Sequence, residues 1–219
     1  MSQSLSSVLA MNLERTEYDS PSLDVVDLDS NPFRQFESWM NDAIAAPVPE
    51  PDAFVLSTVA PGGKPSSRTV LLKGFDDDGL VFYTNYESRK GVELAHEPRV
   101  AALFLWLPLH RQVRVEGTTH RVDAETSDVY FASRPPEARL ASAASPQSQV
   151  VRNRQELDAM LTDLTRRYPD GDLPRPAHWG GYRIVPDCFE FWQGQRARFH
   201  DRFRYRLEGG PWVIERLAP

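Results

Sequence analysis

Cysteine is almost absent: Cys188 is the single one in 219 residues, so neither an internal disulfide nor a cysteine-built zinc site can form. A reducing, cytoplasmic setting is expected. Long apolar runs are missing too, with no stretch of about 18 residues that could cross a bilayer. The opening Met-Ser-Gln-Ser-Leu-Ser-Ser has neither the basic nor the apolar part of a secretory leader. Positive charge is in deficit: 25 Lys and Arg stand against 31 Asp and Glu, a net charge of −6. That balance argues against nucleic acid as the main partner and confines any anion site to a local cluster. No Gly-x-Gly-x-x-Gly fingerprint, P-loop or Gly-x-Ser-x-Gly elbow occurs, and His96, His110, His120, His178 and His200 lack metal-ligand spacing. No metal is expected.

With 41% hydrophobic and 11% aromatic residues, the chain falls in the ordinary globular range, and its length suits one main core. Residues 1–30 are rich in Ser and Asp without sustained periodicity and read as a mobile arm, with at most a short helix near Leu13 to Tyr18. The domain proper is expected over 31–219. Asn31-Pro32 is a helix start, and Phe33, Phe36, Met40 and Ile44 are placed on one face of the helix that follows. Short β-branched runs then come at Ala53 to Ala60, Ser67 to Gly74, Leu80 to Asn85, Arg99 to Trp106 and Gln112 to Gly117. Pro-Gly-Gly-Lys-Pro (61–65) and Asp-Asp-Asp-Gly (76–79) read as hairpin turns. Helices are expected from Ser88 to His96, from Asp123 to Ser133 and from Arg154 to Tyr168. In the last of these, Leu157, Met160, Leu161 and Leu164 form a packing stripe. Four more strands follow, at Tyr182 to Val185, Phe189 to Gln193, Arg202 to Leu207 and Trp212 to Arg216. The fold class is mainly β with flanking helices, a barrel or closed sheet rather than a βαβ array.

Four cationic stretches stand out. Arg196, Arg198, His200, Arg202, Arg204 and Arg206 occupy alternate positions, which on an extended strand share one face. They make either a solvated outer face or an anion-binding wall of guanidinium groups, with His200 able to exchange a proton near neutral pH. Tyr83-Thr84-Asn85-Tyr86-Glu87-Ser88-Arg89-Lys90 runs from a strand end into a helix N-terminus, where free N–H groups favour an anion. Ser67-Arg68-Thr69-Val70-Leu71-Leu72-Lys73 is a nearly apolar strand bearing two cations. Tyr130 and Arg134 are four apart on one helical face. Several anion sites without a metal or nucleophile motif suggest a phosphorylated cofactor and a phosphorylated substrate, with the reaction borne by the cofactor. Cys188, in an apolar strand, reads as buried and inert.

The order of these motifs resembles that of the pyridoxine/pyridoxamine 5′-phosphate oxidases. It runs Ser-Arg-Thr-Val-Leu-Leu-Lys (67–73), Phe-Tyr-Thr-Asn (82–85), Ser-Arg-Lys (88–90), Arg-Gln-Val (111–113), Tyr-Phe-Ala-Ser-Arg-Pro (130–135) and Gln-Ser (147–148). It continues with Trp-Gly-Gly-Tyr-Arg (179–183), Glu-Phe-Trp-Gln-Gly (190–194), Arg-Phe-His-Asp-Arg (198–202) and Arg-Leu-Ala-Pro (216–219). The resemblance implies an FMN-binding split β-barrel that works as a homodimer with FMN at the subunit interface. It implies FMN contacts at Arg68, Lys73, Tyr83, Thr84, Arg89, Lys90, Gln112, Gln147, Ser148, Trp192 and Arg202. Lys73, Tyr130 and Arg134 would take the substrate phosphate, Arg198 and His200 would orient its pyridine ring as the catalytic pair, and Arg15 and Tyr18 would close over it from the arm. The implied reaction oxidises pyridoxine or pyridoxamine 5′-phosphate to pyridoxal 5′-phosphate, with dioxygen as acceptor and hydrogen peroxide released. Arg68 and Lys73 differ by five, which on an ideal strand points them to opposite sides; contacts to two sites across a dimer are the expected reconciliation. The family usually carries a phosphate-binding Ser four residues after the arginine matching Arg134, where this chain has Ala138. The rival readings are a phenazine-biosynthesis-type flavin oxidase of an aromatic acid, and a non-catalytic protein that carries FMN or pyridoxal phosphate.

Overall fold

The computed structural model describes residues 17–219. Its first helix, α1 (Pro32–Ala45), begins as the sequence dictates: the Asn31 side chain accepts a hydrogen bond from the Phe33 N–H at 2.8 Å, and Pro32 occupies the first turn. Phe33, Phe36, Trp39, Met40 and Ala43 are buried, whereas Ile44 is 63% exposed. At about 100° per residue, Ala43 returns to within about 20° of Phe36 while Ile44 lies about 80° away. Ala43, not Ile44, therefore completes the buried face.

Nine strands form one sheet among the described residues: β1 (Ala53–Val59), β2 (Pro65–Leu71), β3 (Gly74–Asp76), β4 (Gly79–Asn85), β5 (Arg99–Trp106), β6 (Arg111–Arg121), β7 (Trp179–Gln193), β8 (Asp201–Leu207) and β9 (Trp212–Arg216). All of the pairings are antiparallel, in the order β2-β1-β5-β6-β7-β4-β3, with β8 and β9 joined through β7. β7 pairs with β6 along almost its full length, but on its other edge it meets β4 at Trp179–Ile184 and β8 at Cys188–Gln193. This division of one edge between two strands gives the split barrel. Both predicted turns are present. At the second, Gly79 has φ +138° and a Cβ there would lie 2.1 Å from the Ile184 carbonyl oxygen, so only glycine fits.

Three strand expectations are corrected. The run from Ser67 to Gly74 divides, because β2 stops at Leu71 and β3 begins at Gly74. β6 extends to Arg121, beyond the expected end at Gly117. The two expected strands at Tyr182 to Val185 and Phe189 to Gln193 are one, because Pro186 falls at a register shift opposite Glu116 and Gly117. A bulge there accommodates the missing N–H without ending the strand.

The helix α2 (Arg89–His96) is capped by Ser88, as expected. α3 (Ala124–Ser133) is capped by Asp123, and α5 (Arg154–Arg167) by Asn153. Between them lies α4 (Pro136–Ala144), which the sequence reading did not anticipate: Pro136 opens a new helix as well as closing the last one, and the Ala-rich run propagates it. The α5 stripe is shallow, with Leu164 packed on a small second core of Phe131, Leu140, Leu173 and Trp179 while Leu161 stays 36% exposed. The main core places Phe36 against Phe75 and Phe104 at ring distances of 5.1 and 5.0 Å.

Truncating Phe36, which is fully buried, should cost about 3–5 kcal/mol. Ile44→Ala should stay within about 0.5 kcal/mol. Urea unfolding of the two variants checks this, and equal losses would reject the placement of α1.

Candidate cofactor and substrate site

A cavity of about 950 Å³ opens between β2, β4, the start of α2 and the α3–α4 segment. Arg68, Lys73, Tyr83, Thr84, Arg89, Lys90, Tyr130, Arg134, Gln147 and Ser148 all line it. Arg68 and Lys73 thus reach one cavity in a single protomer. Their separation by five residues is no obstacle, since strand alternation ends at Leu71 and Lys73 sits in the connector to β3, paired with Asp52 at 2.9 Å. The expected division of these two residues across a dimer is not needed.

One cationic group is built around Glu93, which the sequence reading passed over. It lies one helical turn after Arg89 and is only 2% exposed. Its carboxylate accepts hydrogen bonds from Arg89 Nε at 2.9 Å, Arg68 Nη2 at 3.1 Å, Ser66 Oγ at 2.6 Å and Thr58 Oγ1 at 2.5 Å. Burial opposes ionisation, but the bonds from Ser66, Thr58, Arg89 and Arg68 outweigh it and bring the pKa down to about 2. Glu93 therefore fixes two guanidinium groups at the cavity. Beside them Lys90, 8% exposed, donates to Thr84 Oγ1 at 3.0 Å, to Gln147 Oε1 at 3.3 Å and to Ser88 Oγ at 3.4 Å, all uncharged oxygens. Burial and the nearby Arg68 push its pKa down to about 8. A bound anion would relieve both effects.

A second group is aromatic and cationic. Tyr83 stacks on Tyr130 at 3.8 Å and on Trp179 at 5.4 Å, and the Arg134 guanidinium lies 4.8 Å from the Trp179 ring centre. Arg134 Nη1 also donates to Ser142 Oγ at 2.9 Å. Burial lowers the Arg134 pKa without removing its charge. Trp179 and Ser142 were given no role in the sequence reading. Trp179 stands within a quoted motif, while Ser142 is visible only once α4 is known to be a helix.

The remaining predicted residues gather elsewhere. Gln112, Trp192 and Arg202 are register partners in a row across β6, β7 and β8. The His200 ring lies 4.6 Å from Trp192, and Tyr18 packs 5.8 Å from His200 and 4.5 Å from His110. His200 Nδ1 accepts the Gln195 N–H at 3.0 Å, so the neutral ring carries its proton on Nε2. Burial and Arg198 lower its pKa. Arg15 lies outside the described residues.

The alternation from 196 to 206 does not lie on one strand. Arg196–Arg198 form a single 3₁₀ turn in which Ala197 and Arg198 have φ of +55° and +63°, and β8 begins only at Asp201. Within β8 the three arginines are paired: Arg202 with Glu190 at 2.9 Å, and Arg204 and Arg206 with Glu215 at 2.6 and 3.2 Å. A strand of unpaired like charges would repel itself; glutamates from β7 and β9 remove that cost. Cys188 is half-buried, and burial raises its thiol pKa to about 11, in keeping with an inert side chain.

Residues 40–166 match the family model described as pyridoxamine 5′-phosphate oxidase. Residues 179–219 match the one described as the pyridoxine 5′-phosphate oxidase C-terminal dimerisation region. A pyridoxine/pyridoxamine 5′-phosphate oxidase of Paraburkholderia xenovorans is 52% identical over 207 residues, covering 94% of this chain and 97% of that protein. One from Bordetella petrii is 52% identical over 206 residues with the same coverage. Among solved structures, PhzG from Burkholderia lata in complex with tetrahydrophenazine-1-carboxylic acid superposes with a TM-score of 0.86 at 31% identity, covering 93% of this chain and all of that one. An FMN-binding protein of Nostoc punctiforme, related to pyridoxamine 5′-phosphate oxidase, shares the fold at a TM-score of 0.69 and 18% identity, over 86% of this chain and 98% of that one. On these matches and this architecture, the chain belongs to the pyridoxine/pyridoxamine 5′-phosphate oxidase family.

Proposed function

We propose that this protein is an FMN-dependent oxidase that converts pyridoxine or pyridoxamine 5′-phosphate to pyridoxal 5′-phosphate, with dioxygen as acceptor and hydrogen peroxide as by-product. The observation that carries the reading is one cavity lined by two separately held cationic groups, Arg68–Arg89–Lys90 and Tyr130–Arg134, with Lys73 alongside. Two phosphates, one on a cofactor and one on a substrate, match that pair. The donor set fits FMN: Arg68, Arg89 and Lys90 suit its phosphate, and the Gln147 amide, with Thr84 and Ser148, suits its polar edges. Bound FMN supplies the two-electron acceptor that dioxygen regenerates.

The group of Gln112, Trp192, His200 and Arg202 would complete the site from another copy of the chain. Trp179 and Trp192 are both on β7, thirteen residues apart, a contour of up to about 43 Å at ~3.3 Å per residue. The residues Trp192, Arg198, His200 and Arg202 all fall in the segment matching the dimerisation region. In a homodimer with FMN at the interface, Gln112, Trp192 and Arg202 of one subunit would hold the flavin against the other subunit's cavity. Arg198 and His200 would then orient the substrate, with His200 donating through Nε2. The left-handed backbone at Ala197 and Arg198 costs about 1–3 kcal/mol per residue and suits a segment shaped for binding. Tyr18, already packed on His200, would close the substrate side together with Arg15.

In the absence of air, pyridoxine 5′-phosphate should bleach the oxidised-flavin band of the FMN-loaded protein, and air should restore it with release of peroxide. Flavin that stays oxidised with this substrate but is bleached by a reduced phenazine carboxylic acid would transfer the assignment to the chemistry of the PhzG-like relative. Arg198→Ala should retain FMN and lose at least about 100-fold in kcat/KM; unchanged turnover would remove Arg198 from the site. FMN affinity should fall as pH rises through about 8, where Lys90 loses its proton in the empty site, by up to about tenfold per pH unit. The bound dianion favours the protonated amine, so binding takes up a proton in that range. Lys90→Met should bind FMN about 10–100-fold more weakly near neutral pH and lose this pH dependence, as followed by quenching of flavin fluorescence. The same slope in both proteins would place the phosphate away from Lys90.

A further inference from the structure

We infer that Ser142 on α4 is a substrate-phosphate ligand of this enzyme, a role that rests on the substrate reading above. Ser142 lines the cavity with Tyr130, Arg134 and Ala138. It stands four residues after Ala138, one turn along the same face of α4 (Pro136–Ala144). Position 138 offers a methyl group and nothing to an anion.

The hydrogen-bond direction at Ser142 is what assigns its function. A guanidinium can only donate, so in the 2.9 Å contact with Arg134 Nη1 the serine oxygen is the acceptor. Its own proton remains to be given. Helical hydroxyls commonly return that proton to the carbonyl four residues back, as Thr162 gives to Asp158 and Thr165 to Leu161 on α5, at 2.7 and 2.9 Å. No such bond from Ser142 is present among the described residues. The hydroxyl is therefore aimed by Arg134 and half-buried at the cavity, with a donor free beside a cation. A phosphate monoester dianion that takes an N–H from Arg134 can take the Ser142 O–H at the same time, and the chain of donors is cooperative. A cationic ligand has no use for two converging donors, and an anion gains the most from them.

The test compares the wild-type, Ser142→Ala and Ala138→Ser/Ser142→Ala holoenzymes. Ser142→Ala should raise KM for pyridoxine 5′-phosphate about tenfold and leave kcat within about twofold, as expected for one lost hydrogen bond to a charged group. Binding of pyridoxal 5′-phosphate to the FMN-loaded enzyme should weaken by a similar factor while that of unphosphorylated pyridoxal is unchanged. The double variant, with its hydroxyl one turn earlier, should recover most of the affinity. FMN affinity and melting temperature should not move in either variant. An unchanged KM in Ser142→Ala would overturn the proposal. So would equal weakening of pyridoxal and its phosphate, or a loss that the serine at 138 does not restore, since the hydroxyl would then serve only to steady Arg134. A wild-type enzyme that neither oxidises pyridoxine 5′-phosphate nor prefers pyridoxal 5′-phosphate over pyridoxal would overturn the substrate reading itself, and the role of Ser142 with it.

Discussion

Strand β7 is the constraint on which the rest of the molecule depends. Its fifteen residues pair with β6 on one edge and are shared between β4 and β8 on the other. A strand that continues past the end of one neighbour must find a second, because unpaired backbone groups inside a fold are costly. The change of neighbour coincides with the bulge at Glu116 and Gly117, where Pro186 has no N–H to give. A Cβ at Gly117 would lie 2.2 Å from the Val185 carbonyl oxygen, so the bulge that accommodates Pro186 also needs glycine opposite it. The consequence for function is spatial. Trp179, beneath the Arg134 guanidinium, and Trp192, beneath His200, lie towards opposite ends of the same strand. The fold cannot bring them together in one copy without breaking the sheet, which is why the proposed site draws on two copies.

A chain with net charge −6 holds arginines in place with buried carboxylates, at the cavity and across the β6-β7-β8 row. Glu93 joins Arg68 to Arg89, and Glu190, 3% exposed, joins Arg114 to Arg202 at 2.6 and 2.9 Å. Burying a carboxylate is unfavourable unless its oxygens are satisfied, and here each is taken by guanidinium or hydroxyl donors. Such a carboxylate adds little net stability but restricts the arginines to one geometry. Preorganisation of that kind is what a phosphate site requires, because a guanidinium held in place loses less entropy on binding. Lys90 is treated differently. Its bonds go to hydroxyl and amide oxygens, so among the described residues it is the cation of this group without a carboxylate partner, and in the proposed site a dianion would gain most from it.

What could be read from the sequence was what depends on near neighbours along the chain. The Asn31 and Ser88 caps, the turns at 61–65 and 76–79, and most strand positions follow from residues within a few places of one another. The cavity cations are legible the same way, since Arg89 and Lys90 follow their own cap and Arg134 comes four residues after Tyr130, although α3 ends at Ser133 and Arg134 is its extended C-cap rather than part of the helical face. Where the reading failed, a distant element decided the outcome. Alternation at 196–206 looked like one strand because nothing local marks Ala197 and Arg198 as left-handed. The acids that neutralise Arg202, Arg204 and Arg206 come from Glu190 and Glu215, on strands whose register only the folded sheet sets. Pro186 looked like a strand end because its bulge partner, Gly117, is far away along the chain. Ser142 carries no local signal for a related reason: its hydrogen bond to Arg134 crosses Pro135 and Pro136, which lie past the end of α3 and open α4. On the proposed reading, a hydroxyl one helical turn further along α4 would serve a phosphate without any local motif to mark it, and only the contact with Arg134 points to it.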